Sequence, residues 1–245
     1  MENTTIFGLR AIIEAIDSWS TINKVYLQKG LRWNLFFELE TRIKKEKITT
    51  SFVPVEKLDR LSKNKNHQGA VAQISPIEFA DLEKLIETSL EATDAPLFLL
   101  LDKISDVRNF GAIIRTAECT GVNGIIIQQG GSAPINAETI KTSACAAFKL
   151  PICRVNHIKD AIYTLQASYI KIVAATEKTE DLLYAVDFKQ HIAIVMGSEH
   201  RGVNQSVLKI VDYKAKLTLL GSIDSLNVSV ACGALLYEDI RQRLS

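Results

Sequence analysis

Three short stretches of the chain place polar side chains where chemistry could be done. The first is Asn109-Phe-Gly-Ala-Ile-Ile-Arg115. Phe110, Ile113, Ile114 and Ala117 recur at the spacing of one helix face, which leaves Arg115 and Glu118 on another side. Asn109 is a residue type that caps helix N-termini, and Gly111, one turn before Arg115, is expected to clear space beneath it. A guanidinium held this way offers a rigid fork of donors; the plainer alternative is a surface arginine paired with Glu118. The second stretch, His191 to Gly202, reads as a buried strand followed by a Gly197-x-Glu199-x-x-Gly202 loop. Gly197 permits a tight turn and lets a ligand reach the main chain, and Glu199 falls past the strand's carboxyl end, where open α/β sheets place ligands. The third runs from Leu217 through Gly221 to Ser225-Leu-Asn227-Val-Ser-Val-Ala231. Here Ser225 and Asn227 are expected beside the free N–H groups of a final helix, whose small residues (Ser229, Ala231, Cys232, Gly233, Ala234) allow close backbone approach.

These stretches need a scaffold, and the apolar pattern supplies one. From Pro96 onward, strands alternate with helices: LFLLLDKI, GIIIQ, LPICRV, IKIVAAT, HIAIVMGS and AKLTLL read as strands, with amphipathic segments between them and a last helix from SLNVSV onward. Continuous apolar strands alternating with helices imply a mostly parallel sheet covered on both faces. Residues 1–75 read as a small α/β unit. In it IFGLRAIIEAI, with Ile6, Leu9, Ile12, Ile13 and Ile16, forms a first helix, and HQGAVAQI forms a strand that Gly69 opens to close approach. Residues 76–95, acidic and with a proline near each end, are expected to be a linker around a short helix, leaving 96–245 as the larger domain.

Composition narrows the classes. The 245 residues are 47% hydrophobic and 23% charged with a net charge of +1, an ordinary globular balance. No apolar run approaches the roughly 18–20 residues of a membrane span, and the first residues lack a signal-peptide layout, so a cytoplasmic location is expected. Cys119, Cys145, Cys153 and Cys232 and the four histidines show no metal-ligand spacing, so no metal is expected and the cysteines are read as small buried hydrophobes. No Gly-x-Gly-x-x-Gly follows the first strand of the larger domain, and there is neither a Walker motif nor a Gly-x-Ser-x-Gly elbow. Gly130-Gly131 is a turn. Residues 41–67 carry eight Lys/Arg against three acids, whereas 76–95 carry six acids against Lys84 alone. The basic segment is either a polyanion-facing patch or a solvated lysine face.

Taken together, N-x-G-x-x-x-R, G-x-E-x-x-G and S-L-N-V-S-V-A, in this order and at strand ends, resemble the SpoU family of knotted RNA methyltransferases (the SPOUT superfamily) over residues 97–241. FGLRAIIEAI and HQGAVA resemble the small ribosomal-protein-like substrate-binding domain that precedes the catalytic domain in the subgroup methylating guanosine ribose in 23S ribosomal RNA. The resemblance implies a C-terminal trefoil knot, S-adenosylmethionine as methyl donor, ribosomal RNA as substrate and a homodimer whose sites are completed near the interface. It implies cofactor contacts at Gly197, Leu217 and Leu226, and catalytic or positioning roles for Arg115, Asn109, Glu199, Ser225 and Asn227. Asn109 is to position the ribose or Arg115, Glu199 to orient Arg115 or substrate, and Ser225 and Asn227 to hold the cofactor end and the neighbouring motif. His200-Arg201 inside the second motif departs from the smaller or acidic residues of many relatives. Because a guanidinium stays protonated, Arg115 is expected to donate to an RNA phosphate and the developing 2′-oxyanion rather than to serve as a base. The competing expectations are a tRNA 2′-O-methyltransferase, which often lacks a separate N-terminal unit, and a non-catalytic RNA-binding protein, which leaves the three intact motifs without a purpose.

Overall fold

The structure, a computed structural model, describes residues 5–17, 21–31, 33–199 and 201–245. The chain divides into two compact units, one running to Glu78 and including Pro134–Ala137, the other comprising Phe79–Ala133 and Glu138–Ser245.

The first unit is a four-stranded sheet of β1 (Thr5–Phe7), β2 (Ile22–Gln28), β3 (Thr50–Val53) and β4 (Ala70–Ile74) in the order β1-β4-β2-β3. β4 lies antiparallel to β1 and β2, and β2 lies parallel to β3. Helices α1 (Leu9–Asp17) and α2 (Asn34–Lys45) bury Leu9, Ile12, Ile13, Phe36, Leu39 and Ile43 against Val25, Leu27, Ala70 and Ala72 on one face. Helix α3 (Val55–Ser62) packs Leu58 on the other face, against Val53 and Val71. The first helix expected from the sequence is shorter than its apolar run. Gly8, at φ +95°, breaks the chain there, and Ile6 belongs to a strand paired with Ala72. Three residues are too few for periodicity to separate strand from helix. Gly69, also at positive φ, precedes β4 at a position where any Cβ would collide with the Leu31 side chain.

The second unit holds six parallel strands, β5 (Leu97–Asp102), β6 (Gly124–Gln128), β7 (Ile152–Val155), β8 (Lys171–Ala175), β9 (Ile192–Gly197) and β10 (Tyr213–Ala215), in the order β10-β8-β9-β5-β6-β7. β5 and β9 are buried along their whole length, as strands covered on both faces must be. One face packs Phe98, Leu100, Ile126, Ile172 and Val195 against α7 (Ile158–Ala167) and α4 (Leu82–Ala92). α4 is the acidic helix expected between the two units; its Leu85 and Ile86 belong to this core, and a side chain at Gly124 would strike Leu85. α5 (Val107–Cys119) and α9 (Val228–Arg243) pack on each other and bury Phe110, Ile113, Ile114, Leu235 and Leu236. Short helices α6 (Ala137–Thr142) and α8 (Gln205–Leu208) complete the unit.

Three expectations need correction. The strand expected at AKLTLL lies earlier, at Tyr213–Ala215, with only an isolated bridge from Lys216 to Leu182 beyond it. Residues 217–227 form neither strand nor helix. The last helix begins at Val228 rather than at the serine-leucine-asparagine run. And of the cysteines, only Cys153 and Cys232 are buried, their thiols pushed up to about 12 by burial, for Cys153 with the added charge of Asp81. Cys119 and Cys145 are exposed.

Candidate active site at the strand ends

The loops that leave β8, β9 and β10 at their carboxyl ends surround a cavity of about 460 Å³. Thr176, Glu177 and Lys178 line it after β8, Met196 to Glu199 with Arg201 and Gly202 after β9, and Leu217 and Leu219 after β10; Asp224, Ser225 and Leu226 close it, with Val228, Ala231 and Leu235 of α9. Gly197, Leu217 and Leu226, separate in sequence, thus face one space, and Glu199 and Ser225 share it. The volume lies within the range of small-molecule sites. Its wall is mixed, with leucines and main chain beside the carboxylates of Glu177, Glu199 and Asp224 and the cations Lys178, Arg201 and Lys216, and it suits a ligand with an apolar part and charges of both signs. The alternating apolar pattern of residues 217–220 is explained here. Leu217 and Leu219 turn toward the cavity whereas Leu220 is almost fully exposed, so alternation serves a loop instead of a strand.

The β9 loop has the shape its glycines impose. Gly202 N–H donates to the Ser198 carbonyl at 2.8 Å, and the two residues form an antiparallel bridge. The returning backbone passes so close that a Cβ on Gly197 would lie 2.0 Å from the Gly202 carbonyl carbon and the Val203 nitrogen. Gly202 itself sits at φ +64°, a region that favours glycine. Buried Asp102, at the end of β5, accepts from Asn204 N–H at 2.9 Å and pins the far side of the loop. His200 lies outside the described residues.

Asn109 does not cap α5. Asp106 does, accepting from Arg108 and Asn109 N–H at 2.9 and 2.8 Å. The aspartate three positions upstream was the signal that sequence reading passed over. Freed from capping, the Asn109 side chain ties the three motifs together: its Nδ2 donates to Glu199 Oε1 at 3.1 Å, and its Oδ1 accepts from Asn227 Nδ2 at 3.0 Å. Asn227, the N-cap of α9, accepts from Ser229 N–H at 2.9 Å. That main-chain donor fixes which end of the Asn227 amide is oxygen, and the rest of the chain of bonds follows in order. Ser225 stands outside the helix, in the cavity wall.

Arg115 is exposed, and among the described residues its guanidinium makes no hydrogen bond or ion pair. Glu118, its plainer partner from the sequence, faces Lys149 at 3.7 Å. Glu199 is engaged by Asn109 and not by Arg115. Gly111 is buried and clears space for α6 rather than for the arginine: a Cβ there would meet Thr142 Cβ at 2.6 Å.

Fold and site define an α/β ligand-binding domain whose cavity is walled by three late strand-end loops in place of a glycine-rich dinucleotide turn, preceded by a smaller α/β unit. Residues 96–237 match the model of the SpoU rRNA methylase family, and residues 5–80 match that of the RNA 2′-O ribose methyltransferase substrate-binding domain. The chain belongs to the SpoU rRNA methylase family and is an RNA methyltransferase of the SpoU/TrmH kind. A Staphylococcus aureus protein assigned to the TrmH family of tRNA/rRNA methyltransferases is 35% identical over 244 residues, covering 99% of this chain and 98% of the relative. Bacillus subtilis YacO, similarly assigned, is 31% identical over 238 residues, covering 97% and 95%. Among solved structures, the SpoU methyltransferase AviRb from Streptomyces viridochromogenes, in complex with AdoMet, aligns with a TM-score of 0.63 at 23% identity, covering 98% of this chain and 90% of that one. The A. aeolicus TrmH/SpoU tRNA modifying enzyme aligns at 0.57 and 29% identity, covering 66% and 84%.

Proposed function

We propose that the protein methylates the 2′-hydroxyl of a guanosine ribose in 23S ribosomal RNA, in the cytoplasm, using S-adenosylmethionine held in the strand-end cavity. The observation that carries the reading is the convergence of Gly197, Leu217 and Leu226 on one cavity whose neighbouring Glu199 is bonded to Asn109 of the first motif. The leucines and Met196 provide apolar wall for an adenine, and main-chain groups of the three loops provide polar contacts. Glu177, Glu199 and Asp224 bring negative charge to the wall for a sulfonium, and Lys178, Arg201 and Lys216 bring positive charge for the donor's carboxylate. The bound donor supplies an electrophilic methyl carbon. A crossing of the chain through its own loop, the trefoil knot of the family, accords with residues 217–227 wrapping the cavity without regular structure.

The chain's own residues then have a positioning task, since methyl transfer requires an aligned nucleophile. Arg115 donates to an RNA phosphate and to the oxygen on which charge grows as the C–O bond forms and the methyl–sulfur bond breaks. The hydroxyl proton leaves to phosphate or water. Asn109 holds the carboxylate of Glu199 and the cap of α9 in fixed register, so the cofactor wall and the substrate helix move together.

The enzyme acts as a homodimer. Val230 and Tyr237 of α9 and Leu244, its C-cap, are exposed by 58%, 59% and 84%, and their seven-residue spacing puts them on one side of the helix. Ile223 and Leu220, in the loop before α9, are exposed as well. A second copy seated on this face buries it and closes the site around Arg115.

Mapping 2′-O-methyl groups on ribosomal and transfer RNA, in cells with and without the protein, tests the assignment. Loss of one guanosine site in 23S RNA is expected. Loss confined to tRNA would move the substrate, and no lost site in either would remove the proposed activity.

A further inference from the structure

In sequence the eight basic residues of 41–67 look like one patch. The fold separates them, because α2 and α3 pack on opposite faces of the small sheet. On α2, Arg42 bonds Asp17 at 3.1 Å and Glu38 at 2.6 Å, Lys45 stands 4.0 Å from Glu46, and among the described residues neither Lys44 nor Lys45 lies over an aromatic ring. The α3 face differs. The register Phe7↔Val71↔Tyr26 sets two aromatic rings on one side of the sheet, flanking Val71. Lys24 Nζ and Lys57 Nζ lie 5.2 and 5.5 Å from the centre of the Tyr26 ring, and Lys65 Nζ lies 5.6 Å from that of Phe7. Among the described residues none of these three ammonium groups has a carboxylate partner. Asp59, the acid in the middle of α3, is taken by His67 Nε2 at 3.1 Å.

Two consequences follow from the chemistry. An ammonium resting on a ring is attracted by the ring's negative face, which limits the freedom of a lysine stem before binding and so reduces what is lost on binding. Two such groups about one ring concentrate positive charge that an anion would complement. Lysines beside half-exposed aromatic rings are the combination that grips unpaired nucleic acid, phosphates on the charges and bases on the rings.

We propose that the α3 face of the N-terminal sheet is where the RNA substrate's backbone is held, with Lys24, Lys57 and Lys65 on its phosphates and Tyr26 and Phe7 beside unpaired bases. This rests on the RNA methyltransferase reading and locates its substrate surface; the α2 lysines are the solvated face.

The test uses the full chain, a labelled single-stranded RNA oligonucleotide and a salt titration. Each phosphate contact to a single strand contributes about 0.7 to the slope of log affinity against log salt, so K24Q/K57Q/K65Q is expected to lower that slope by about 2 and to weaken binding roughly tenfold or more at low salt. K24R/K57R/K65R, which keeps the charge, is expected to retain the wild-type slope, and K44Q/K45Q on α2 to cost far less than the α3-face triple. Thermal melting of each variant confirms that the unit is folded. A wild type that binds and methylates RNA while the triple glutamine variant binds equally well overturns this surface alone. An α2 variant that loses as much as the α3 variant overturns it also. A wild type that binds no RNA overturns both this surface and the functional reading.

Discussion

The strand-end cavity and the α3 face of the small sheet are opposite solutions to holding a ligand. The cavity is built from backbone: two glycines, a capped helix and loops fixed by hydrogen bonds, with few side chains that could be exchanged without moving the main chain. The lysine face is built from flexible side chains on a sheet that would fold without them. The first should be intolerant of substitution and indifferent to salt, the second tolerant and salt-sensitive. Precise geometry is needed where a bond is made, and adaptable charge suffices where a long polyanion is steered.

The largest effect expected from breaking this contrast is at Gly197. A Gly197→Ala methyl would press on the backbone of Gly202 and Val203, which cannot swing aside as a side chain can. Overpacking costs about 1–3 kcal/mol in an ordinary core. We expect the upper end of that range in thermal melting and loss of S-adenosylmethionine binding by calorimetry. A variant that binds the donor normally would mean the loop is not the rigid element described. Next is Arg115→Lys, expected to cut turnover by about 100-fold or more, in line with removal of a positioned oxyanion donor, with donor affinity unchanged. Turnover near wild type in single-turnover assays would take Arg115 out of the chemistry.

Asn109→Ala removes both bonds of the link between Glu199 and Asn227. A hydrogen bond to a charged group is worth about 1.5–3 kcal/mol, less when part of the network is exposed, so a roughly tenfold fall in turnover is expected. If Asn109→Asp restores activity, the link is not the reason for the asparagine.

The smallest effect concerns the sheet edge at the amino ends of β8 and β10, away from the cavity. Burial alone would raise the Asp212 carboxyl, but donors from Ile172 N–H, Gln166 and Lys171 outweigh it and hold it below its ordinary 3.8. Its contribution to stability is therefore full above that value and is lost as pH falls through the lower folded value. Asp212→Asn should lower the melting temperature by a few degrees at neutral pH and converge with wild type under acid conditions. An equal difference at both pH values would assign the effect to packing.

Much of the larger unit is legible because its central strands β5 and β9 are apolar almost throughout and α5 carries a clean stripe. Phe110, Ile113, Ile114 and Ala117 are buried where their spacing put them. The misreadings share a cause. Asn109 is a residue type that caps helices, but so is Asp106, and only three-dimensional geometry shows which oxygen meets the free N–H groups. Gly111 neighbours Arg115 along the helix, but its crowding partner is Thr142 from another helix. Leu217 and Leu219 alternate as a strand would, since lining a cavity and facing a core impose the same period.

The sequence by itself determined the alternation of strands and helices, the family motifs and the residue types available for chemistry, because these depend on local order along the chain. Only the tertiary structure decided which groups meet: that Asn109 bridges Glu199 and Asn227, that Gly197 is required by a returning backbone, and that one basic segment splits across two faces of a sheet. Such contacts join residues as much as 118 positions apart, and no local periodicity encodes a distance in space.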